Sequence, residues 1–313
     1  MGFLFGPPKV DKLKSKRDVR GLLKALTYEK DWMIRNDAAR ALGEIGATAA
    51  IPYLVARLVS EESYSVREAL VGVLDRLGWI PQKDAASARY YRLKGELQKC
   101  AECGDDGIRE LLPLLLEGNS RVRDVWLGLG AKGALTAMAV ANMLFEQYRD
   151  LTSGTSDLDF RLADDRRKDA MIEAMVKRLG NCVRVIGQYG DPSADIYLAN
   201  LYDQVKQSIY SNPEGGFLDA FKAVDLRESI VWALSRSTSQ PALDLHLRVL
   251  TEDRARFVRW ASVDVLANLN EEHPGLIRGT QFREALESAL ALEEDGISNR
   301  KGKIRDLLAS MGH

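Results

Sequence analysis

A thirteen-residue phrase recurs four times along this chain: IRNDAARALGEIG at 34–46, VREALVGVLDRLG at 66–78, LRESIVWALSRST at 226–238 and VRWASVDVLANLN at 258–270. Each copy opens with an aliphatic residue and an arginine. Apolar or small residues follow about four, eight and eleven positions on, the spacing that lines one face of an α-helix. Within each pair the copies stand 32 residues apart, and a fixed period of that size marks a helical repeat array. Each unit of such an array packs only on its neighbours, so one elongated body is expected rather than two ordinary domains.

The charge balance narrows the partners. With 44 Lys plus Arg against 45 Asp plus Glu the formal net charge is −1, so no global field draws the chain to nucleic acid or an anionic membrane. A hydrophobic content of 46% suffices for a continuous core. No apolar run is long enough to span a membrane. The only apolar patch at the start, Phe3, Leu4 and Phe5, is too short for a signal peptide core. Gly2 suggests myristoylation, but Gly6 stands where that pattern needs Ser or Thr. Phe3 and Phe5 are expected to staple the N-terminal end of the array rather than enter a membrane. A cytoplasmic location follows, and Cys100, Cys103 and Cys182 suit a reducing compartment better than a disulfide framework.

Helix signals alternate along most of the chain. A first amphipathic segment carries Val19, Leu22, Leu23 and Leu26. The Ile34 helix stops near Gly46, and Ile51-Pro52-Tyr53-Leu54 opens another with proline in its first turn, where the missing N–H costs nothing. Two helices therefore fill one period. The period breaks after Gly78, where a further helical segment offers Tyr90, Tyr91, Leu93 and Leu97 for packing. A partial copy at 122–130 is out of phase, and the middle third has no clean copies. The stretch Leu151 to Asp169, polar and rich in Ser, Thr, Gly and Asp, reads as a hinge or surface loop, giving sub-arrays 1–150 and 167–313 joined at 151–166. Further breaks fall at Ser211 to Gly216 and His273-Pro274-Gly275. No stretch alternates as a β-strand does.

The aliphatic-Arg phrase, with the glycine-to-proline link from Gly46 to Leu54, resembles the HEAT repeat, and more narrowly the short HEAT-like repeats of phycobilisome lyase subunits. The insert Leu77-Gly78-Trp79-Ile80-Pro81 is similar to one in bacterial and archaeal HEAT-repeat proteins. The resemblance is strong over 19–117, fair over 217–270 and weak between. It implies an all-α, right-handed α-α superhelix, a HEAT-like solenoid in which arginine-led second helices line the inner side. It implies no reaction: most HEAT arrays are scaffolds. A minority are enzymes, among them bilin lyases, a family of DNA glycosylases and the di-iron deoxyhypusine hydroxylase.

Candidate sites divide into chemistry and recognition. The arginines Arg35, Arg67, Arg123, Arg227 and Arg259 could grip an acidic partner, since a guanidinium forks onto carboxylates. Their repeat position favours bonds to carbonyls or acids of the adjoining unit instead. Cys100 and Cys103 supply at most half a zinc site and read as packing thiols. His246, His273 and His313 form no His-Glu pair, which argues against a di-iron centre, and no phosphate loop, zincin helix or nucleophile elbow occurs. The carboxylates Asp105-Asp106, Asp164-Asp165 and Glu293-Glu294-Asp295 read as solvated charge. No catalytic, cofactor or metal site is expected.

Recognition has an aromatic signal. On a helical wheel of the copy at Val258, Trp260 points away from the stripe of Ser262, Val265, Leu266 and Leu269. Trp232 also lies off its stripe, and tryptophan is enriched at interface hot spots. A partner-binding patch of Trp232 and Trp260, flanked by Arg236, Asp264 and Asn268, is therefore expected. The leading expectation is a non-enzymatic scaffold that holds a protein or peptide along its surface. The alternative is a bilin lyase or chaperone-like attachment factor. Nucleic acid is not expected as a partner, and the sequence specifies no oligomeric state.

Overall fold

The structure, a computed structural model, describes residues 7–153, 165–210, 217–293 and 300–311. Among these residues there are helices and no strands. The chain divides into two compact units, Met1–Leu114 and Leu115–His313, the division falling within one helix.

The first unit contains α1 (Val10–Ser15), α2 (Val19–Leu26), α3 (Trp32–Glu44), α4 (Ile51–Ser60), α5 (Tyr64–Arg76), α6 (Ala85–Lys94), α7 (Leu97–Ala101) and the start of α8 (Asp105–Leu116). The second unit continues with α9 (Ser120–Leu127), α10 (Ala131–Ser153), α11 (Asp165–Gln188), α12 (Pro192–Tyr210), α13 (Phe217–Ala233), α14 (Gln240–Glu252), α15 (Arg256–Glu272), α16 (Thr280–Ala291) and α17 (Arg300–Ser310). Each unit is built in two layers. In the first, α3 packs between α1 and α5 while α4 packs on α6. In the second, α11, α13, α15 and α17 form one row, with α12, α14 and α16 as the other. This is an all-α solenoid arrangement.

Local chemistry explains the helix ends. Asp31 caps α3 by accepting from the Met33 N–H at 2.8 Å, and Asp18 and Asp84 do the same for α2 and α6. The first two copies of the phrase end in glycine because the chain there turns left-handed, with φ 70° at Gly46 and 72° at Gly78. The next N–H in each case reaches back into the helix, Ala47 to the Leu42 carbonyl and Trp79 to that of Leu74, both at 3.0 Å. This closure satisfies carbonyls that the helix leaves unpaired. Leu22, Leu26, Leu42, Leu54, Leu58, Leu70 and Leu74 fill the core of the first unit. The packing residues of the insert fall on α6 and the start of α7. Tyr90 is buried edge-on against Trp79, while Tyr91 and Leu93 pack partly buried on the same core.

The segment expected to join two sub-arrays runs from the end of α10 to the start of α11. The helices on either side of it, α10 and α11, are among the most closely packed pairs in the chain and belong to the same unit. Long helices of 23, 24 and 19 residues explain why the middle third shows no copies of the thirteen-residue phrase. Phe3, Phe5 and the break at 211–216 lie outside the described residues.

Candidate functional site

The repeat arginines are structural clamps where their partners survive. Arg35, buried near the start of α3, donates from Nε and Nη2 to the two oxygens of Glu61 at 2.9 and 2.7 Å. Its Nη1 reaches the Tyr28 and Glu29 carbonyls in the preceding link. Glu61 also accepts from Arg57 and from the Ser63 N–H that opens α5. In the second unit Arg227 meets Asp253 at 2.8 Å, again 26 residues on, and Asp253 accepts from the Ala255 N–H. Arg259 repeats the backward half of this pattern on the carbonyls of Asp253 and Arg254.

Arg67 and Arg123 lack this partner, and the sequence shows why. Residues 26 positions after them are Leu93 and Arg149, so no carboxylate stands at that spacing; the Nε atoms of Arg67, Arg123 and Arg259 alike are buried without a hydrogen bond. Burial works to raise the Glu61 carboxyl, but hydrogen bonds from Arg35, the Ser63 backbone and Arg57 prevail and hold it at about 2.

A groove open to solvent lies between α3 and α5 in the first unit. It has a volume of about 400 Å³. Its walls follow two ridges of residues spaced by four: Asn36, Arg40 and Glu44 on α3, and Glu68, Gly72 and Arg76 on α5. The 32-residue period sets these in register. The helices approach closely because Gly43 has no side chain; a Cβ there would stand 2.9 Å from Val73. Gly72, by contrast, borders open space with no atom within 4 Å of an added Cβ. The same ridges begin at Trp32 and Tyr64, which are 47% and 55% exposed. Periodicity alone could have located this face, but the repeat arginines drew attention to the opposite side of the same helices.

The five residues of the expected aromatic patch separate in the second unit. Trp232 is 41% exposed, its indole N–H touching Glu228 at 3.3 Å, and Arg236 and Asn268 are exposed. Trp260 is half-buried, donates to Glu293 at 2.8 Å and lies against Phe257 and Arg256. Asp264 is buried and bound by Lys303 of α17 at 2.7 Å. Glu293, expected as solvated charge, is instead nearly buried, because it joins Arg259 and Trp260 to the end of α16. The wheel of α15 could not reveal this, since α17 packs on a face the wheel leaves open.

Buried titratable groups elsewhere are inert. All three cysteines are buried, and loss of solvent pushes the Cys100 and Cys182 thiols up to about 12. His246 is fully buried, with Nδ1 2.9 Å from the Ser262 hydroxyl and Nε2 unpartnered. Burial lowers its pKa from 6.5 to about 4. The folded state thus holds the neutral ring, and its contribution is complete above pH 6.5 and lost as pH falls toward 4. Folding of the second unit is expected to weaken by roughly tenfold per pH unit in that window. Urea midpoints measured across it should flatten in a His246→Leu variant; an unchanged slope would remove His246 as the source.

No helix among the described residues is long and apolar enough to cross a membrane. Nor do three His, Cys, Asp or Glu side chains gather there in a way that could hold a metal ion. Residues 11–87 match the family described as HEAT repeats, a span that includes α2 to α5 and therefore the whole groove. No curated protein matches the chain.

Proposed function

Starting from the HEAT repeats over residues 11–87, we propose that this chain is a non-enzymatic scaffold that binds a protein partner along its inner helices. The α3–α5 groove carries the proposal. It lies on the face of α3 and α5 opposite the Arg35–Glu61 clamp that ties α3 to the end of α4. Its lining offers hydrogen-bonding and charged groups, spread over two helices, without a nucleophile–base pair. Distributed contacts of this kind suit recognition of an extended segment. The exposed Trp232, Arg236 and Asn268 provide further contact residues under the same reading.

Gly72→Trp tests the assignment. The new side chain enters open space and replaces glycine in a helix, so folding should be retained or improved. Affinity capture from the native lysate followed by mass spectrometry should recover a stoichiometric protein with the natural chain and lose it with Gly72→Trp. Recovery of a pigment or a nucleic acid alone would reject the scaffold assignment.

A further inference from the structure

The charged residues of the groove lining are two acids and two arginines. Glu44 is bound by Lys14 and is held below the ordinary carboxylate range, first by the hydrogen bond and charge of Lys14, then by Arg76 and Arg40. Lys14 therefore pairs one of the two acids within the fold. Glu68, the other acid of the lining, lies near the Tyr64 hydroxyl and holds that phenol above its ordinary range. Arg40 and Arg76 are both exposed, and among the described residues neither has a hydrogen bond or ion pair of its own at contact distance. A guanidinium presents five donors in a planar fork that fits a carboxylate in bidentate fashion.

On the scaffold reading above, we propose that the α3–α5 groove takes an acidic polypeptide segment, whose carboxylates are gripped by Arg40 and Arg76 while an apolar side chain rests against Trp32 and Tyr64. Charge complementarity selects this occupant. A nucleic acid would carry a charge about every 1.7 Å of duplex and would be forced over Glu44 and Glu68 on the groove walls. A polypeptide can place its acids opposite the arginines only. The exposed aromatics at the other end of the ridges supply an anchor that a chain of phosphates would not use.

Fluorescence anisotropy with the full chain tests this, using a labelled peptide of alternating Glu and Ser ending in Leu, its Gln-for-Glu counterpart, single-stranded DNA and vesicles containing anionic lipid. The Glu peptide should bind, weaken with added salt, and lose roughly tenfold or more in affinity in Arg40→Glu/Arg76→Glu. Circular dichroism of that variant should match the natural chain, since both side chains are exposed. Equal binding of the Gln peptide, unchanged binding by the double variant, or tighter binding of DNA or vesicles would overturn the acidic assignment. The capture experiment with Gly72→Trp reads the scaffold assignment separately, because it is indifferent to the partner's charge.

Discussion

Asp253→Ala is expected to destabilise the second unit by about 3–5 kcal/mol, among the largest single-residue effects in the chain. Asp253 is 2% exposed and serves three donors at once: Arg227, the Tyr202 hydroxyl and the Ala255 N–H. Removing the carboxylate strands a guanidinium whose side chain is only 5% exposed, and an uncompensated buried charge costs far more than a lost surface pair. For a unit of this size the melting transition should fall by roughly 10 °C. Hydrogen exchange should localise the loss to α12 through α15, with α2 to α5 unchanged. A transition within about 2 °C of the natural chain would show that the clamp is dispensable.

Trp126→Ala should cost a comparable amount, about 3–5 kcal/mol. Trp126 is fully buried at the junction of α9, α10 and the end of α11. Its indole N–H donates to the Gly133 carbonyl at 3.0 Å, and its own carbonyl accepts from the Tyr189 hydroxyl at 2.9 Å. Space here is tight, since a Cβ on Gly133 would collide with that hydroxyl. Alanine would therefore leave a cavity that its neighbours cannot fill without moving a helix. Trp126→Phe retains most of the volume and should lose only about 1–2 kcal/mol, the share of the hydrogen bond and the smaller ring. Urea unfolding of the two variants separates volume from hydrogen bonding, and equal losses would place the whole effect in the indole N–H.

Helix positions in the repeats were legible because they depend on local spacing. The apolar stripe, the glycine that ends each of the first two phrases and Pro52 are short-range signals; α4 begins at Ile51, and α3 and α5 lie within two residues of the bounds those signals mark. The preference for structural arginines was legible too, since a side chain recurring at one repeat position can meet equivalent backbone, as Arg35 and Arg259 do on the carbonyls of the preceding link. Which arginines are fully clamped was not, because the acids at Glu61 and Asp253 lie 26 residues away on another element. Cys100 and Cys103 read as packing thiols, and the structure buries both.

The groove and the aromatic patch show the limit. Arg40 and Arg76 look like ordinary helix surface in the sequence, and only the apposition of α3 and α5 brings them into one groove lining. Trp260 and Asp264 read as solvent-facing, yet the end of α16 and α17 reach them through Glu293 and Lys303.

Amino-acid order by itself determined the helices, their two-per-period rhythm and the all-α class, because hydrophobic spacing and caps act within a turn or two of the chain. Tertiary structure alone decided where the units divide, which charges are spent inside the fold and which remain for a partner. Those outcomes depend on which helix lies beside which, and a pattern confined to one helix carries no record of its neighbours.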